Sequence, residues 1–142
     1  MNGIILDTNV VSEPKRPVPD AKVRSWFAVQ EVDRLYLTTT VIAELAVGIE
    51  RLPSGRRRTE FRRWLEALVQ EDFAGRILVF DVPAALIYGQ LVAAALAQGR
   101  PPTVGDAQIA AVAQRDGMAV ASRDRRGFEA LEVTVIDPWQ GG

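Results

Sequence analysis

The 142-residue chain contains no cysteine and no histidine. The absence of cysteine excludes disulfide bonds, thiolate zinc sites and a cysteine nucleophile, and it permits a reducing cytosol. The absence of histidine excludes imidazole acid-base catalysis, Ser-His triads and the usual ligands of zinc enzymes. Any chemistry of this chain must therefore depend on carboxylates, hydroxyls, lysine, arginine or a hard metal ion.

Long hydrophobic runs are absent as well. Apolar stretches such as Leu91–Ala97 are far shorter than the roughly 20 residues that span a bilayer. The opening MNGIILDTN has no early basic residue, so it is predicted to be a first strand and not a signal peptide. We expect a cytoplasmic protein without a membrane segment. With 48% hydrophobic residues, the chain is expected to form one domain over residues 1–142.

Short β-branched runs alternate with helical patterns along the chain, which predicts an α/β domain with a largely parallel sheet. The predicted strands are Gly3–Leu6, Leu35–Leu37, Ile77–Phe80, Ala119–Ala121 and Thr134–Ile136. The predicted helices are Asp20–Gln30, Thr39–Leu52, Arg56–Phe73, Pro83–Gln98 and Val104–Arg115. The Pro-rich segments Glu13–Asp20 and Gly99–Pro102 are predicted to be connections within the domain.

Four acidic residues lie at the ends of predicted strands or on apolar faces of predicted helices: Asp7, Glu44, Asp106 and Asp124. An unpaired carboxylate in such surroundings is costly. Asp7 and Asp124 follow strands, and ligands of parallel sheets gather beyond the carboxyl ends of the strands. Glu44 and Asp106 have no basic neighbour within one helical turn, and Glu44 is expected to face away from solvent.

These four acids together predict a metal site. Carboxylates that lie close together raise one another's pKa unless a cation keeps them ionised. Oxygen ligands without histidine or cysteine favour Mg²⁺ or Mn²⁺, and such an ion can activate a water molecule against a phosphodiester. Hydrolysis of nucleic acid is therefore the functional hypothesis.

Each acid also has a purely structural interpretation. Asp7 is a typical cap for the turn after a strand, and Asp106 completes a capping box that begins at Thr103. Asp124 lies among Arg123, Arg125 and Arg126, which favours a surface ion pair. The structural interpretation is weakest for Glu44, because an isolated glutamate on an apolar helical face has no evident role.

Positive charge is concentrated between Arg51 and Arg63, where six arginines and one glutamate give a local excess of five. Phosphate is a natural counterpart of such a stretch. The alternative is the solvated face of an amphipathic helix, because apolar residues follow helical spacing at Phe61, Trp64, Leu65, Leu68 and Val69.

Several motifs occur in an order and spacing that resemble a known family. They are LDTNVVSEP at Leu6–Pro14, TVIAELAVGIERL at Thr40–Leu52, FAGRILVFD at Phe73–Asp81, GDAQIAAVA at Gly105–Ala113 and ASRD at Ala121–Asp124. The chain is similar to PIN-domain ribonucleases, and more narrowly to the FitB-like branch of the VapC toxins. The resemblance runs almost end to end and includes the closing Asp137-Pro138-Trp139.

This resemblance implies a three-layer α/β/α domain around a mainly parallel sheet of four to five strands. It also implies a homodimer that cleaves RNA with Mg²⁺ or Mn²⁺, is silenced by a cognate antitoxin, and binds DNA only through the antitoxin complex. An apolar helical face available for the dimer comprises Ile42, Leu45, Ile49 and Leu52, and it is equally suited to the core.

By position, the resemblance assigns the acidic site to Asp7, Glu44, Asp106 and Asp124. Asp7 and Asp106 are the implied direct metal ligands, with Glu44 and Asp124 as further candidates, and Thr8 and Asn9 support the site by hydrogen bonding. One departure concerns the fourth acid, because many relatives have Thr-Arg-Asn where this chain has Ser122-Arg123-Asp124. Arg123 and Arg125 are candidates for contact with a substrate phosphate.

Three other functions share some of these sequence features. A haloacid-dehalogenase-like phosphatase requires a second aspartate where this chain has Asn9, and a receiver domain requires a late lysine, whereas the lysines are Lys15 and Lys22. A non-catalytic binding module remains, in which the acids receive an arginine from a partner protein. The sequence also leaves open which RNA is cut and whether DNA is a substrate.

Overall fold

The computed structural model describes residues 3–140, and within them five parallel strands form one sheet. The strands are β1 (Ile4–Leu6), β2 (Leu35–Thr38), β3 (Ile77–Leu78), β4 (Ala119–Ala121) and β5 (Val135–Ile136). Their order across the sheet is β3-β2-β1-β4-β5. The predicted α/β class, all five predicted strands and their parallel arrangement are confirmed.

The strand order changes direction at β1. The chain adds β2 and β3 on one side of β1, and it later adds β4 and β5 on the other. β1 and β4 pair directly, with Leu6 opposite Ala121, and the Asp7 amide donates a hydrogen bond of 2.9 Å to the Ala121 carbonyl. The segments that follow β1 and β4 therefore begin side by side, at the point where open α/β sheets form a crevice.

Seven α-helices surround the sheet in the described residues. They are α1 (Thr8–Ser12), α2 (Ala21–Ala28), α3 (Thr39–Glu50), α4 (Arg56–Ala67), α5 (Val82–Ala97), α6 (Val104–Asp116) and α7 (Arg125–Phe128). The five predicted helices are present, but the one predicted over Arg56–Phe73 becomes a π-helical turn at Leu68–Asp72. The segment predicted as a connection from Glu13 begins with a 3-10 helix, Glu13–Lys15. Helices α1 and α7 are too short to show a helical period in the sequence.

The core confirms three layers, because the central strands are buried on both faces. Ile5, Leu6, Leu37 and Val120 have no exposed surface, as expected for a parallel sheet covered by helices on either side. The segment Ile109–Ala113 of α6 is also fully buried. Helix α6 is therefore a core helix, and its first turn, which contains Asp106, is held firmly beside the sheet.

The apolar face proposed for a dimer belongs partly to this core. Leu45 and Ile49 are each 6% exposed, whereas Ile42 and Leu52 are half-buried. The alternative interpretation of this face as core therefore applies to its two central residues.

Across residues 3–140, every helix is too short or too polar to cross a membrane.

Candidate active site

A cavity of about 690 Å³ opens at the carboxyl edge of β1 and β4, and all four predicted acids line it. Asp7 follows β1, Glu44 lies on α3, Asp106 lies in the first turn of α6, and Asp124 follows β4. The other lining residues are Thr8, Asn9, Thr40, Ala43, Val47, Val104, Gly105 and Gln108. The fold thus brings together acids from four separate parts of the chain.

Asp7 is the most deeply placed of the four acids, with only 5% of its surface exposed. It is the N-cap of α1, and its Oδ1 accepts a hydrogen bond of 2.8 Å from the Thr8 amide. Its Oδ2 accepts one of 2.6 Å from the Ser122 hydroxyl. Burial nevertheless raises the pKa of Asp7, and the nearby charges of Glu44 and Asp124 raise it further. The capping interpretation is correct but incomplete, because a cap alone needs no burial.

Ser122 is a site residue that the sequence analysis did not identify. Its side chain is fully buried, its hydroxyl donates to Asp7, and the same oxygen accepts a hydrogen bond of 3.0 Å from the Asp124 amide. It therefore joins the segment after β4 to the acid after β1. The available signal was its position directly after a buried strand and two residues before an acid.

The expectation that Glu44 faces away from solvent is wrong. The buried positions of α3 include Val41, Leu45 and Ile49, spaced one turn apart, and this leaves Glu44 exposed at the cavity. Its Oε1 accepts a hydrogen bond of 2.6 Å from the Thr8 hydroxyl. Glu44 thus avoids the cost of burial, and Thr8 connects it to the helix that Asp7 caps.

Asn9 lies beside Thr8 on α1 and also lines the cavity. Its side-chain oxygen accepts a hydrogen bond of 3.2 Å from the Arg123 amide. This contact links α1 to the segment between β4 and α7. Both residues predicted to support the site, Thr8 and Asn9, thus form hydrogen bonds there.

Asp106 and Asp124 point toward the same place. A Cβ atom added to Gly127 would overlap Oδ2 of both residues, so these two oxygens converge beside that glycine. Asp106 is half-buried, and its amide donates a hydrogen bond of 3.1 Å to the hydroxyl of Thr103, the N-cap of α6. Burial, followed by the charges of Asp7 and Asp124, raises the pKa of Asp106 to about 6.

The ion pair considered for Asp124 does not form, because none of the ion pairs among residues 3–140 includes it. Asp124 instead caps α7 and accepts a hydrogen bond of 3.0 Å from the Gly127 amide. The Arg123 guanidinium lies 5.0 Å from the Trp139 ring centroid, and Arg125 donates to the Val135 carbonyl at 3.4 Å. Neither Arg123 nor Arg125 lines the cavity.

The cavity has the donors that a hard divalent cation requires. All four acids lack an ion-pair partner within the described part of the chain, and their oxygens are the ligand type that Mg²⁺ and Mn²⁺ prefer. Among these residues, no three acidic side chains are close enough for a complete protein ligand set. Mg²⁺ usually binds through one or two carboxylates and keeps several waters, so the convergent pair Asp106 and Asp124 suits it.

Two glycines keep this space open. Gly127 lies against the oxygens of Asp106 and Asp124, and a Cβ on Gly105 would overlap Oε2 of Glu44. Any larger residue at these positions would displace a carboxylate. The absence of side chains at Gly105 and Gly127 is therefore part of the geometry that lets the acids approach one another.

Comparison with known proteins gives consistent results. Residues 4–133 match the family model of the PIN domain. The chain is 42% identical to the VapC ribonuclease Y4jK of Sinorhizobium fredii, covering 96% of this chain and 98% of that one. It is 40% identical to the toxin FitB of Neisseria gonorrhoeae, with the same coverage. The structure of FitAB bound to the IR36 DNA fragment contains a similar chain, with a TM-score of 0.90, 39% identity and coverage of 96% and 95%.

Proposed function

Because this chain belongs to the PIN-domain family, we propose that it is a metal-dependent ribonuclease and the toxin of a toxin-antitoxin pair. The observation that supports this proposal most directly is the convergence of four acids on one cavity without a basic partner from residues 3–140. The relatives named as a VapC ribonuclease and a toxin support the same activity.

In this proposal, Asp7 and Asp106 hold Mg²⁺ or Mn²⁺, Asp124 is a further ligand because its oxygen converges with that of Asp106, and Glu44 completes the acidic site. A divalent cation held by these residues would supply charge neutralisation on the phosphodiester and a water of lowered pKa as the nucleophile. Ser122 and the Thr8 amide fix both oxygens of Asp7, and the Thr8 hydroxyl fixes Glu44. The ligands are thereby oriented before the substrate arrives.

The exposed carboxylates of Glu44 and Asp124 are placed to accept the proton that the attacking water loses and to pass it to solvent. No single general base is assigned, because several carboxylates border the same space. The apolar part of the cavity wall includes Ala43, Val47 and Val104. This wall is suited to the sugar or base next to the cleaved bond.

The proposed partners are a cognate antitoxin, an RNA substrate and a second copy of the chain as a homodimer. DNA binding is proposed to occur only through the antitoxin complex, since a net charge of -1 gives the chain little attraction for a polyanion. The similar chain in the DNA-bound FitAB structure is consistent with this arrangement. We place the protein in the cytoplasm, where such a substrate occurs.

The test is cleavage of mixed cellular RNA by the protein freed of antitoxin. We expect endonucleolytic fragments with Mg²⁺ or Mn²⁺, and none with EDTA or in the Asp7→Asn variant. Asp33→Asn is a matched control, because Asp33 is exposed and lies outside the cavity lining. A parallel reaction with single-stranded DNA determines whether cleavage is confined to RNA.

The second candidate is a non-catalytic module whose acidic cavity receives an arginine from the antitoxin. The cavity favours this role as well, because uncompensated carboxylates bind guanidinium groups strongly. The absence of any cleavage by folded, antitoxin-free wild-type protein with either cation would support this candidate over the nuclease. An inhibited enzyme, in contrast, would regain cleavage when the antitoxin is removed.

A further inference from the structure

A second surface, defined by Lys15, Arg57 and Phe61, carries positive charge that the proposed active site does not use. Lys15 ends the 3-10 helix Glu13–Lys15, and Arg57 lies in the first turn of α4. The Lys15 ammonium is 5.7 Å from the Phe61 ring centroid, and the Arg57 guanidinium carbon is 5.8 Å from it. Two cations from separate parts of the chain therefore lie against one half-buried aromatic ring.

Neither cation at this surface is neutralised by an acid. Among residues 3–140, no ion pair includes Lys15 or Arg57, although the neighbouring Arg16 pairs with Glu13 and Arg62 pairs with Glu50. Both cations lie beside the same ring, so they repel each other and together attract an anion. Proteins that bind single-stranded nucleic acid commonly contact its phosphates with cationic side chains and its bases with a partly exposed aromatic ring.

This surface is connected to the acidic cavity by a short helical path. Helix α1 begins at the Asp7 cap and continues directly into the 3-10 helix that ends at Lys15. At the usual rise per residue, this path is on the order of 13 Å long. Helix α3, which carries Glu44, packs against both α1 and α4. A single-stranded chain of a few nucleotides can therefore reach from the cavity to Lys15.

The negative charge of the acidic cavity favours an additional, positively charged surface for binding the substrate. Its carboxylates repel a polyanion until a divalent cation is present. A positive surface a few nucleotides away compensates for that repulsion and orients the strand. The charge of this surface and its short distance from the cavity therefore favour RNA over an acidic protein as its occupant.

We propose that Lys15, Arg57 and Phe61 bind single-stranded RNA a few nucleotides from the cleaved bond. Lys15 and Arg57 contact phosphates, and Phe61 contacts a base. This proposal rests on the proposed ribonuclease function, and it adds a place where the substrate is held. It assigns binding and not chemistry to these residues.

The test measures binding of a fluorescent single-stranded RNA to full-length Asp7→Asn protein in EDTA, so that neither cleavage nor a cation contributes. Replacing both cations, as Lys15→Gln with Arg57→Gln, is expected to weaken binding. It is also expected to reduce the slope of log K against log salt by about 1.4, since each single-strand phosphate contact contributes roughly 0.7. Phe61→Leu is expected to weaken binding without changing that slope.

The matched control is Lys22→Gln with Arg24→Gln, which removes one lysine and one arginine from the exposed surface of α2. It changes the net charge equally, and we expect the parent salt slope. Circular dichroism confirms that each variant is folded. A slope that is the same in both double variants would overturn the proposal, as would a loss of binding to purified antitoxin without a change in RNA binding.

Failure of this proposal is distinguishable from failure of the ribonuclease function. Asp7-dependent cleavage together with an unchanged salt slope would refute only the RNA-binding role of Lys15 and Arg57. A reduced slope in a protein that cleaves no RNA would support that role while refuting the nuclease.

Discussion

Two groups of acidic side chains in this protein differ in how their charge is compensated. Asp81 and Asp116 lie beside Arg115, at 2.7 Å and 2.9 Å from its guanidinium. The pKa of Asp81 is lowered, first by the Ala84 amide and then by Arg115. The pKa values of Asp7 and Asp106 are instead raised, chiefly by burial and further by their acidic neighbours. The same residue type is thus stabilised as an anion in one place and destabilised in the other.

This difference separates structural acids from acids of a site. Arg115 also donates a hydrogen bond of 2.7 Å to the Val79 carbonyl. The ion pairs and the hydrogen bond of Arg115 therefore connect the start of α5 to the end of α6. Asp7 also caps α1 and accepts from Ser122, but neither Asp7 nor Asp106 has a cationic partner within residues 3–140, and their charge carries a cost within the fold. Such uncompensated charge in a cavity is typical of a functional site. Substitutions in both groups and among their partners test this division.

Asp7→Asn is expected to reduce RNA cleavage by more than about 100-fold, because even the partners of metal ligands contribute that much. The melting temperature should not fall, since the amide removes a buried charge. The matched variant Asp81→Asn should leave cleavage unchanged and lower the melting temperature, because Arg115 loses a charged partner. Equal losses of cleavage in both variants would contradict the division of the acids.

Gly127→Ala is expected to reduce cleavage about 100-fold, because the added Cβ displaces the oxygens of Asp106 and Asp124. Gly89→Ala is the control, since its Cβ would occupy open space on α5. That change should leave cleavage intact and stabilise the helix by up to about 1 kcal/mol. Cleavage rates and thermal denaturation of both variants decide whether the acidic oxygens must converge.

Ser122→Ala is expected to reduce cleavage at least about tenfold, because Asp7 loses the hydroxyl that orients it. Unfolding should become easier by about 1–3 kcal/mol, since a buried acceptor is left unsatisfied. Ser12→Ala removes a hydroxyl that donates only to the Thr8 carbonyl, and it should affect cleavage less. Urea denaturation and cleavage assays measure the two effects, and identical losses of cleavage would remove Ser122 from the site.

The pH dependence of cation binding gives the smallest effect. As the proposed ligand, Asp106 would bind a cation only in its ionised form, so below its pKa of about 6 the apparent affinity for Mn²⁺ should fall about tenfold per pH unit. Above this value the affinity should level off. Calorimetric titration from pH 5 to pH 8 measures this dependence, and Asp106→Asn should remove it. An affinity that is independent of pH in the parent protein would argue against Asp106 as a ligand.

Stability in the absence of a cation should separate the same two groups of acids. The raised pKa of Asp106 means that its contribution to stability is fully present below 3.8 and is lost as the pH rises through about 6. The lowered pKa of Asp81 has the opposite sign, so its contribution is present above 3.8 and is lost as the pH falls through its folded pKa. Melting temperatures of Asp106→Asn and Asp81→Asn should therefore approach that of wild type at low pH and differ from it in opposite directions at high pH, with Asp106→Asn more stable and Asp81→Asn less stable.

Much of the fold was predictable because its signals are local. β-branched runs and helical periods identified the five strands and the long helices, and strand-following acids identified Asp7 and Asp124 as candidates. The short helices α1 and α7 were missed, because five and four residues cannot display a helical period. The exposure of Glu44 was also misjudged, since apolar neighbours along a helix do not show which of them pack inward.

Local sequence signals were sufficient to predict the α/β class, to exclude thiol and imidazole chemistry, and to identify the four acids that share a cavity. Only the packing of the whole chain shows that β1 pairs with β4, that Ser122 joins Asp7 to the Asp124 segment, and that Arg123 and Arg125 do not line the cavity. The physical reason is distance along the chain. Local periodicity indicates the secondary structure of each segment. The pairing of residues more than one hundred positions apart depends instead on how the whole core packs.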